Sequence, residues 1–380
     1  MKGENITISL CMIVKDEEST LGRCLNSVKD IVDEIIIVDT GSKDNTKEIA
    51  KEFNAKIFDF DWIDDFSAAR NYSFSKSTKD YILWLDGDDY IDAINRKKLK
   101  LLKENFDKSI DVVTMNYSLT RDERGNTTFS LKRNRLVKRE KNFTWKGRVH
   151  EYLEVNGRTL NSDITINHNK MKVSTDRNLK IFIKMIEDEI PFTARDMYYY
   201  SNELYYNQYY DDAITNYEDF LANYNGWIED KKAAFNNLIR CYRIKGKDEM
   251  AVNTVLRYLR EYKPTGEICC SFADLLDKSN KVEEAIFWYE TALKCIPEKD
   301  NLGFNNKAYY TWVPAINLAV CYSKIQNYEK AFYYNELASL YGGDLNKINY
   351  NRKFLERKFI ELEKDPPKLK IHLKFDRWRR

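Results

Sequence analysis

Apolar positions in the first ninety residues fall in short continuous runs separated by helical spacings. Residues 7–14 are nearly all apolar, as expected of a strand buried on both faces. Leu21, Leu25 and Val28 then mark one face of a helix. Residues 34–38 form a second β-branched run that ends at Asp39. The loop Thr40-Gly41-Ser42-Lys43-Asp44 leads into a predicted helix over residues 45–53, with Ser42 and Asp44 as candidate N-caps. Residues 57–60 and 81–85 give a third and a fourth strand, the last closed by Asp86-Gly87-Asp88-Asp89. Strands alternating with helices predict an α/β domain around a mainly parallel, Rossmann-like sheet. Ligands of such sheets bind beyond the carboxyl ends of the strands. Asp39 and Asp86 stand at two such ends.

The pattern changes twice further on. Residues 111–166 read as strands and turns, with Arg124-Gly125-Asn126 as a hairpin turn, and residues 174–190 read as a helix leaving the domain. Then a motif repeats. Gln208-Tyr-Tyr-Asp-Asp-Ala213-Ile is echoed around Ala251, Ala285 and Ala331, at separations of 38, 34 and 46 residues. A period near 34 with alanine at a tight helix crossing resembles tetratricopeptide (TPR) repeats, although two of the spacings depart from it. The tyrosines concentrated in this half read most simply as packing between helices. In the last 17 residues, Leu369, Ile371, Leu373 and Phe375 alternate with Lys368, Lys370, His372 and Lys374, a strand period in a basic tail. The expected divisions are residues 1–173 for the α/β domain, 174–363 for an all-α helical-repeat domain, and 364–380 for the tail.

Composition narrows the function. A length of 380 residues fits two domains, or one domain and a repeat array. Lysine and arginine number 62 against 60 acidic residues, so the large basic footprint of a nucleic-acid binder is missing. No apolar run reaches the roughly 18 residues of a membrane helix, and residues 1–5 lack the features of a signal peptide. Seven scattered cysteines form no CxxC pair, which argues against zinc ribbons and fits a reducing cytoplasm. With no GxGxxG and no GxxxxGK[ST], a dehydrogenase or kinase is disfavoured.

The chemistry concentrates at Leu85-Asp86-Gly87-Asp88-Asp89. Three carboxylates on one turn repel each other, and a hard divalent cation with oxygen ligands relieves that repulsion. By itself an Asp-x-Asp triplet is weak, because many surface turns carry one. Placed after the buried run Tyr81-Ile-Leu-Trp-Leu85, it gains weight. Residues 132–148 hold eight basic residues and one acidic, either a solvated face or a source of Arg133, Arg135 or Arg139 for a departing diphosphate.

Four segments in order resemble glycosyltransferase family 2, with the GT-A fold: Ser9-Leu-Cys-Met-Ile-Val-Lys-Asp-Glu-Glu18, Ile37-Val-Asp-Thr-Gly-Ser42, Asp65-Phe-Ser-Ala-Ala-Arg-Asn71 and Leu85-Asp-Gly-Asp-Asp89. Trp145-Lys-Gly-Arg-Val-His150-Glu151 is similar to a later element of a subgroup with helical repeats, which includes the S-glycosyltransferases of sublancin-type bacteriocins. The resemblance implies nucleotide-sugar chemistry with Mn²⁺ or Mg²⁺. It places Ile13, Lys15, Asp39 and Thr40 at the nucleotide, with Thr40 standing where relatives more often have a second carboxylate. It places Asp86 and Gly87 near the ribose, and Asp88, with Asp86, at the metal. Arg70 has two readings, near the diphosphate or sugar or paired with Asp65; Asn71 is a helix cap or a site residue. His150 is a packed histidine or a third metal ligand. Glu151 is the expected general base or an orienter of His150, with Asp89 as the rival base.

The implied reaction is an inverting transfer from a nucleotide sugar, a UDP-sugar foremost. The repeats suggest a peptide or protein acceptor, since stacked helix pairs make concave surfaces. A lipid-linked or polysaccharide acceptor is the alternative within the same chemistry, and a non-catalytic repeat scaffold is the alternative of another class. Exposed faces of such arrays also pair readily, which leaves a homodimer open.

Overall fold

In the computed structural model the buried runs are strands. Residues 5–121, 127–169, 176–296 and 305–367 are described. The chain begins β1 (Ile8–Val14), α1 (Leu21–Asn26), β2 (Glu34–Asp39), α2 (Thr46–Glu52), β3 (Lys56–Asp59), α3 (Phe66–Ser75) and β4 (Tyr81–Trp84). It continues β5 (Asp89–Tyr90), α4 (Ala93–Glu104), β6 (Val112–Arg121), β7 (Thr127–Lys138), β8 (Thr144–Lys146), β9 (Tyr152–Glu154) and β10 (Thr159–His168). The hairpin turn expected at Arg124-Gly125-Asn126 lies outside the described residues, as does most of the basic tail.

The main sheet has the order β3-β2-β1-β4-β7-β6-β10-β5. β1 to β4 run parallel, as do β6 and β10. β7 enters antiparallel to both β4 and β6, and β5 lies antiparallel to β10. The strand period sorts the core by face. Leu10, Met12, Ile37 and Leu83 pack on one side of the sheet, and Cys11, Ile36, Ile82 and Trp84 on the other. Burial on both faces is why these strands read as continuous apolar runs. The sheet is thus mixed but mainly parallel, GT-A-like, as expected.

Two helices, α5 (Arg177–Glu187) and α6 (Ala194–Tyr206), follow β10. The chain divides into two compact units, the first reaching Glu203 and the second starting at Leu204. The second contains α7 (Tyr210–Asn223), α8 (Ile228–Ile244), α9 (Asp248–Glu261), α10 (Gly266–Lys278), α11 (Val282–Lys294), α12 (Trp312–Lys324), α13 (Tyr328–Leu340) and α14 (Leu345–Glu361). Ala213, Ala251, Ala285 and Ala331 are fully buried. Five residues before each alanine the backbone turns left-handed, at Gln208, Gly246, Asn280 and Gln326. The next residue's N–H then donates back five positions at 2.8–2.9 Å, as from Lys247 to the Tyr242 carbonyl and from Lys281 to that of Leu276. This bond closes a helix C-terminus and starts the next helix at a fixed angle. The sequence repeat is therefore a backbone repeat, and it fits TPR-like helix pairs. Six of the seven cysteines are buried, on β1, on α1 and in this array, as packing residues.

Candidate active site

The site grows from the end of β4. All four β4 residues are buried, so the strand carries the next turn to the sheet's carboxyl edge. The Asp89 N–H donates to the Asp86 carbonyl, and the Asp86 N–H to Asp89 Oδ2, both at 3.0 Å. β5 pairs with the end of β10, setting His168 opposite Asp89. His168 Nδ1 thereby lies 3.3 Å from Asp88 Oδ1 and 3.4 Å from Asp89 Oδ1. Among the described residues, Asp88, Asp89 and His168 form the one group with metal-ligand proximity, their ligand atoms all within 4.8 Å of one another. Two carboxylates and an imidazole suit Mn²⁺ or Mg²⁺ as a donor set. Burial would lower the His168 pKa, but hydrogen bonds and charge from Asp88 and Asp89 prevail and raise it to about 9.

Asp89 itself faces inward. It is fully buried, and its Oδ1 accepts from the Tyr117 hydroxyl at 2.9 Å. Arg135 on β7 is also fully buried, with Nη2 3.1 Å from Asp89 Oδ2 and Nη1 donating to the Trp84 carbonyl at 3.2 Å. Its guanidinium lies between the rings of Trp84 and Tyr117, at 3.8 and 4.4 Å. Burial and the charges of Asp89 and Asp86 push the Tyr117 hydroxyl well up, so it stays a donor.

A second set surrounds Arg70 on α3. Its Nη2 donates to Asp86 Oδ1 at 2.8 Å and its Nε to Glu151 Oε1 at 2.5 Å. Trp84 and Trp145 cover the guanidinium at 4.9 and 4.8 Å. Burial alone would raise the Asp86 carboxyl, yet Arg70 and Arg135 hold it well below the usual carboxylate range. Asp65 is not a partner of this group. It caps α3, its Oδ1 accepting from the Ala68 N–H at 2.9 Å. Asn71 exchanges two hydrogen bonds with the backbone of Trp145, which pins β8 to α3.

The remaining predicted residues lie at the neighbouring strand ends. Ile13 is the one β1 residue that is not fully buried, and Lys15 is exposed. Asp39 is 1% exposed; its Oδ2 accepts from the Gly41 and Ser42 N–H groups, while its Oδ1 has no partner. A buried orphan oxygen at a strand end is open to a ligand's donor. Thr40 is buried, and its N–H and hydroxyl both donate to the Val14 carbonyl. Gly87 packs so tightly on Glu17 that an added Cβ would stand 2.7 Å from Glu17 Cγ. Ser42 accepts from the Asp16 N–H, and Asp44 from the Thr46 N–H at the start of α2. His150 is set elsewhere, with Nε2 2.7 Å from Glu203 Oε1 and its ring stacked on Tyr199. His168 was not among the expected residues, although it is one of only three histidines and ends a β-alternating run.

Residues 9–171 match the family model of glycosyl transferase family 2, and that segment is a domain of this family. The SPbeta prophage-derived glycosyltransferase SunS of Bacillus subtilis is 28% identical over 244 residues, 60% of this chain and 57% of that protein. A TPR repeat-containing protein of Synechococcus elongatus is 58% identical over 82 residues, 22% of this chain and 20% of that protein. The chain thus spans less than two thirds of the length of either relative. Among solved structures, glucosyl-3-phosphoglycerate synthase of Mycobacterium tuberculosis with Mn²⁺ and UDP is 22% identical, covering 30% of this chain and 44% of its own, with a TM-score of 0.26.

Proposed function

We propose that the chain is an inverting, metal-dependent glycosyltransferase that moves a sugar, foremost from a UDP-hexose, to a cysteine thiol or a serine or threonine hydroxyl of a peptide or protein. The observation that carries this reading is the convergence of Asp88, Asp89 and His168 just beyond the end of β4, within a segment matching the family model. Asp88 and His168 are the residues that would hold the cation, with Asp86 two positions before Asp88 on the same turn. When bound, the cation offsets charge growing on the departing nucleotide diphosphate. Asp39, with its unpartnered Oδ1, receives a donor of the nucleotide. Glu151 takes the acceptor's proton, and Arg70 fixes the spacing of Glu151 and Asp86 through its two hydrogen bonds. The helical array favours an extended peptide acceptor over a lipid-linked one, since helix pairs stacked in register make long concave surfaces.

Nucleotide release from a panel of UDP-, GDP- and dTDP-sugars, with Mn²⁺ and with chelator, tests the reading. Metal-dependent turnover of one donor, lost in Asp88→Ala, supports it. The absence of both turnover and metal-dependent donor binding refutes it.

A further inference from the structure

The loop that carries Glu151 joins β8 to β9 and contains two left-handed residues, Gly147 (φ 90°) and His150 (φ 51°). Glycine takes that conformation freely, but histidine is strained there and stays only where its surroundings over-determine it. Those surroundings are α5 and α6. Arg195 donates from Nε and Nη2 to the His150 carbonyl, at 3.1 and 3.0 Å. Its guanidinium lies over the rings of Tyr199 and Tyr152, at 4.6 and 5.0 Å. Glu203 Oε1 lies 2.7 Å from His150 Nε2 and accepts from Asn178 Nδ2 at 3.1 Å. The imidazole stacks on Tyr199 with centroids 4.1 Å apart and planes 15° apart. On the other side, the Phe66 N–H donates to the Arg148 carbonyl, and Val149 is buried against Ile181, Phe182 and Met185.

We propose that Arg195 and Glu203 are positioning residues for Glu151: by holding His150 left-handed from both its carbonyl and its ring, they set the next side chain against Arg70. The inference rests on the reading of Glu151 as the base, and it adds to that reading a support drawn from outside residues 9–171. The peptide between His150 and Glu151 is the lever. With the Arg195 bonds gone, His150 relaxes to negative φ, that peptide rotates, and the carboxylate leaves Arg70 Nε. Neither Arg195 nor Glu203 is assigned any contact with substrate, so their loss acts on turnover and spares donor binding.

The test uses the full chain and two readouts. The first, hydrogen exchange of residues 144–154, needs no turnover. The account expects Arg195→Met and Glu203→Ala to speed exchange there about tenfold or more while β1 and β4 keep their rates. The second is Mn²⁺-dependent UDP release from UDP-glucose. The expected loss in kcat is about 10- to 100-fold, the scale on which small misplacements of a reacting group act. KM for UDP-glucose and the Kd of UDP should hold within about twofold, and Glu203→Gln, which keeps an acceptor for His150, should recover most of the rate. In a Glu151→Gln background, Arg195→Met should add less than about twofold, because it acts through the missing carboxylate. Unchanged loop exchange, a full additional loss in that background, or a loss expressed in KM overturns the proposal. If Arg195→Met folds poorly, Arg195→Lys, which keeps the charge but not the paired donors, carries the same expectations. Wild-type UDP release unaffected by Glu151→Gln would instead overturn the role given to Glu151, with the loop-exchange result still deciding whether α6 sets its position.

Discussion

Replacing Asp89 by asparagine separates two roles for that residue, structural counter-ion and reacting carboxylate. Both Asp89 and Arg135 have no exposed side-chain surface. The asparagine keeps one acceptor, enough for the Asp86 N–H or the Tyr117 hydroxyl but not for both, and removes the negative charge. Arg135 is then left buried against the Trp84 carbonyl and two ring faces, which are present before and after the change. Breaking a buried pair from one side costs about 3–5 kcal/mol, a large part of the roughly 5–15 kcal/mol that holds a domain together. Because the chain has two units, a local readout is the right one. Hydrogen exchange of the β4 and β7 amides, under conditions where it reports the opening equilibrium, should accelerate by about two to three and a half orders of magnitude. Adding Arg135→Met removes the stranded charge, and the double variant should regain at least about half of the lost free energy. Exchange in Asp89→Asn within about threefold of wild type, together with lost turnover, would refute this reasoning and return Asp89 to the chemistry.

Three further outcomes follow. His168 is protonated below about pH 9, so a cation entering between it and Asp88 displaces that proton. Apparent Mn²⁺ affinity should therefore rise nearly tenfold per pH unit between pH 6 and 8, and a flat calorimetric titration series would contradict the assignment. Glu34 is buried at the start of β2; burial would raise its carboxyl, but Lys56, Ser9 and Thr78 lower it to about 2. A folded value below the unfolded one gives stability that is present above the ordinary glutamate range and fades as pH falls toward 2. That contribution is about 3 kcal/mol, and Glu34→Gln should lose it at pH 7 and show a flatter acid limb in denaturant midpoints. Finally, a thiol acceptor with an ordinary pKa near 8.5 needs little help from a base. Glu151→Gln should then cost less turnover than Asp88→Ala, whereas equal and complete losses would point to a hydroxyl.

Much of this was legible in the sequence where local pattern decides structure. Strands buried on both faces announce themselves as apolar runs, so β1, β2 and β4 and the acids at their ends were readable in order. The buried alanines of the array were readable because one spacing recurs. What was not legible depends on register between distant segments. His168 meets Asp88 and Asp89 only because β5 pairs with the end of β10. Arg135 sits in a run that reads either as a solvated basic face or as a source of cations for a diphosphate, yet β7 enters the sheet between β4 and β6 and turns that side chain into the core. Arg139, from the same run, instead donates to the Lys79 carbonyl at the surface. From Arg148, Val149 and Glu151 alone, His150 reads equally as a packed residue or a ligand, while its partner Glu203 lies 53 positions further along the chain. No local signal in the residues around 150 points there.

The most direct test of the central claim is a Mn²⁺ titration read by electron paramagnetic resonance, with UDP present, on the full chain and on Asp88→Ala, His168→Ala and His150→Ala. The account predicts that Mn²⁺ affinity falls by about tenfold or more in the Asp88 and His168 variants and stays within about twofold of wild type in His150→Ala. Unchanged binding in Asp88→Ala, or a loss confined to His150→Ala, would contradict it.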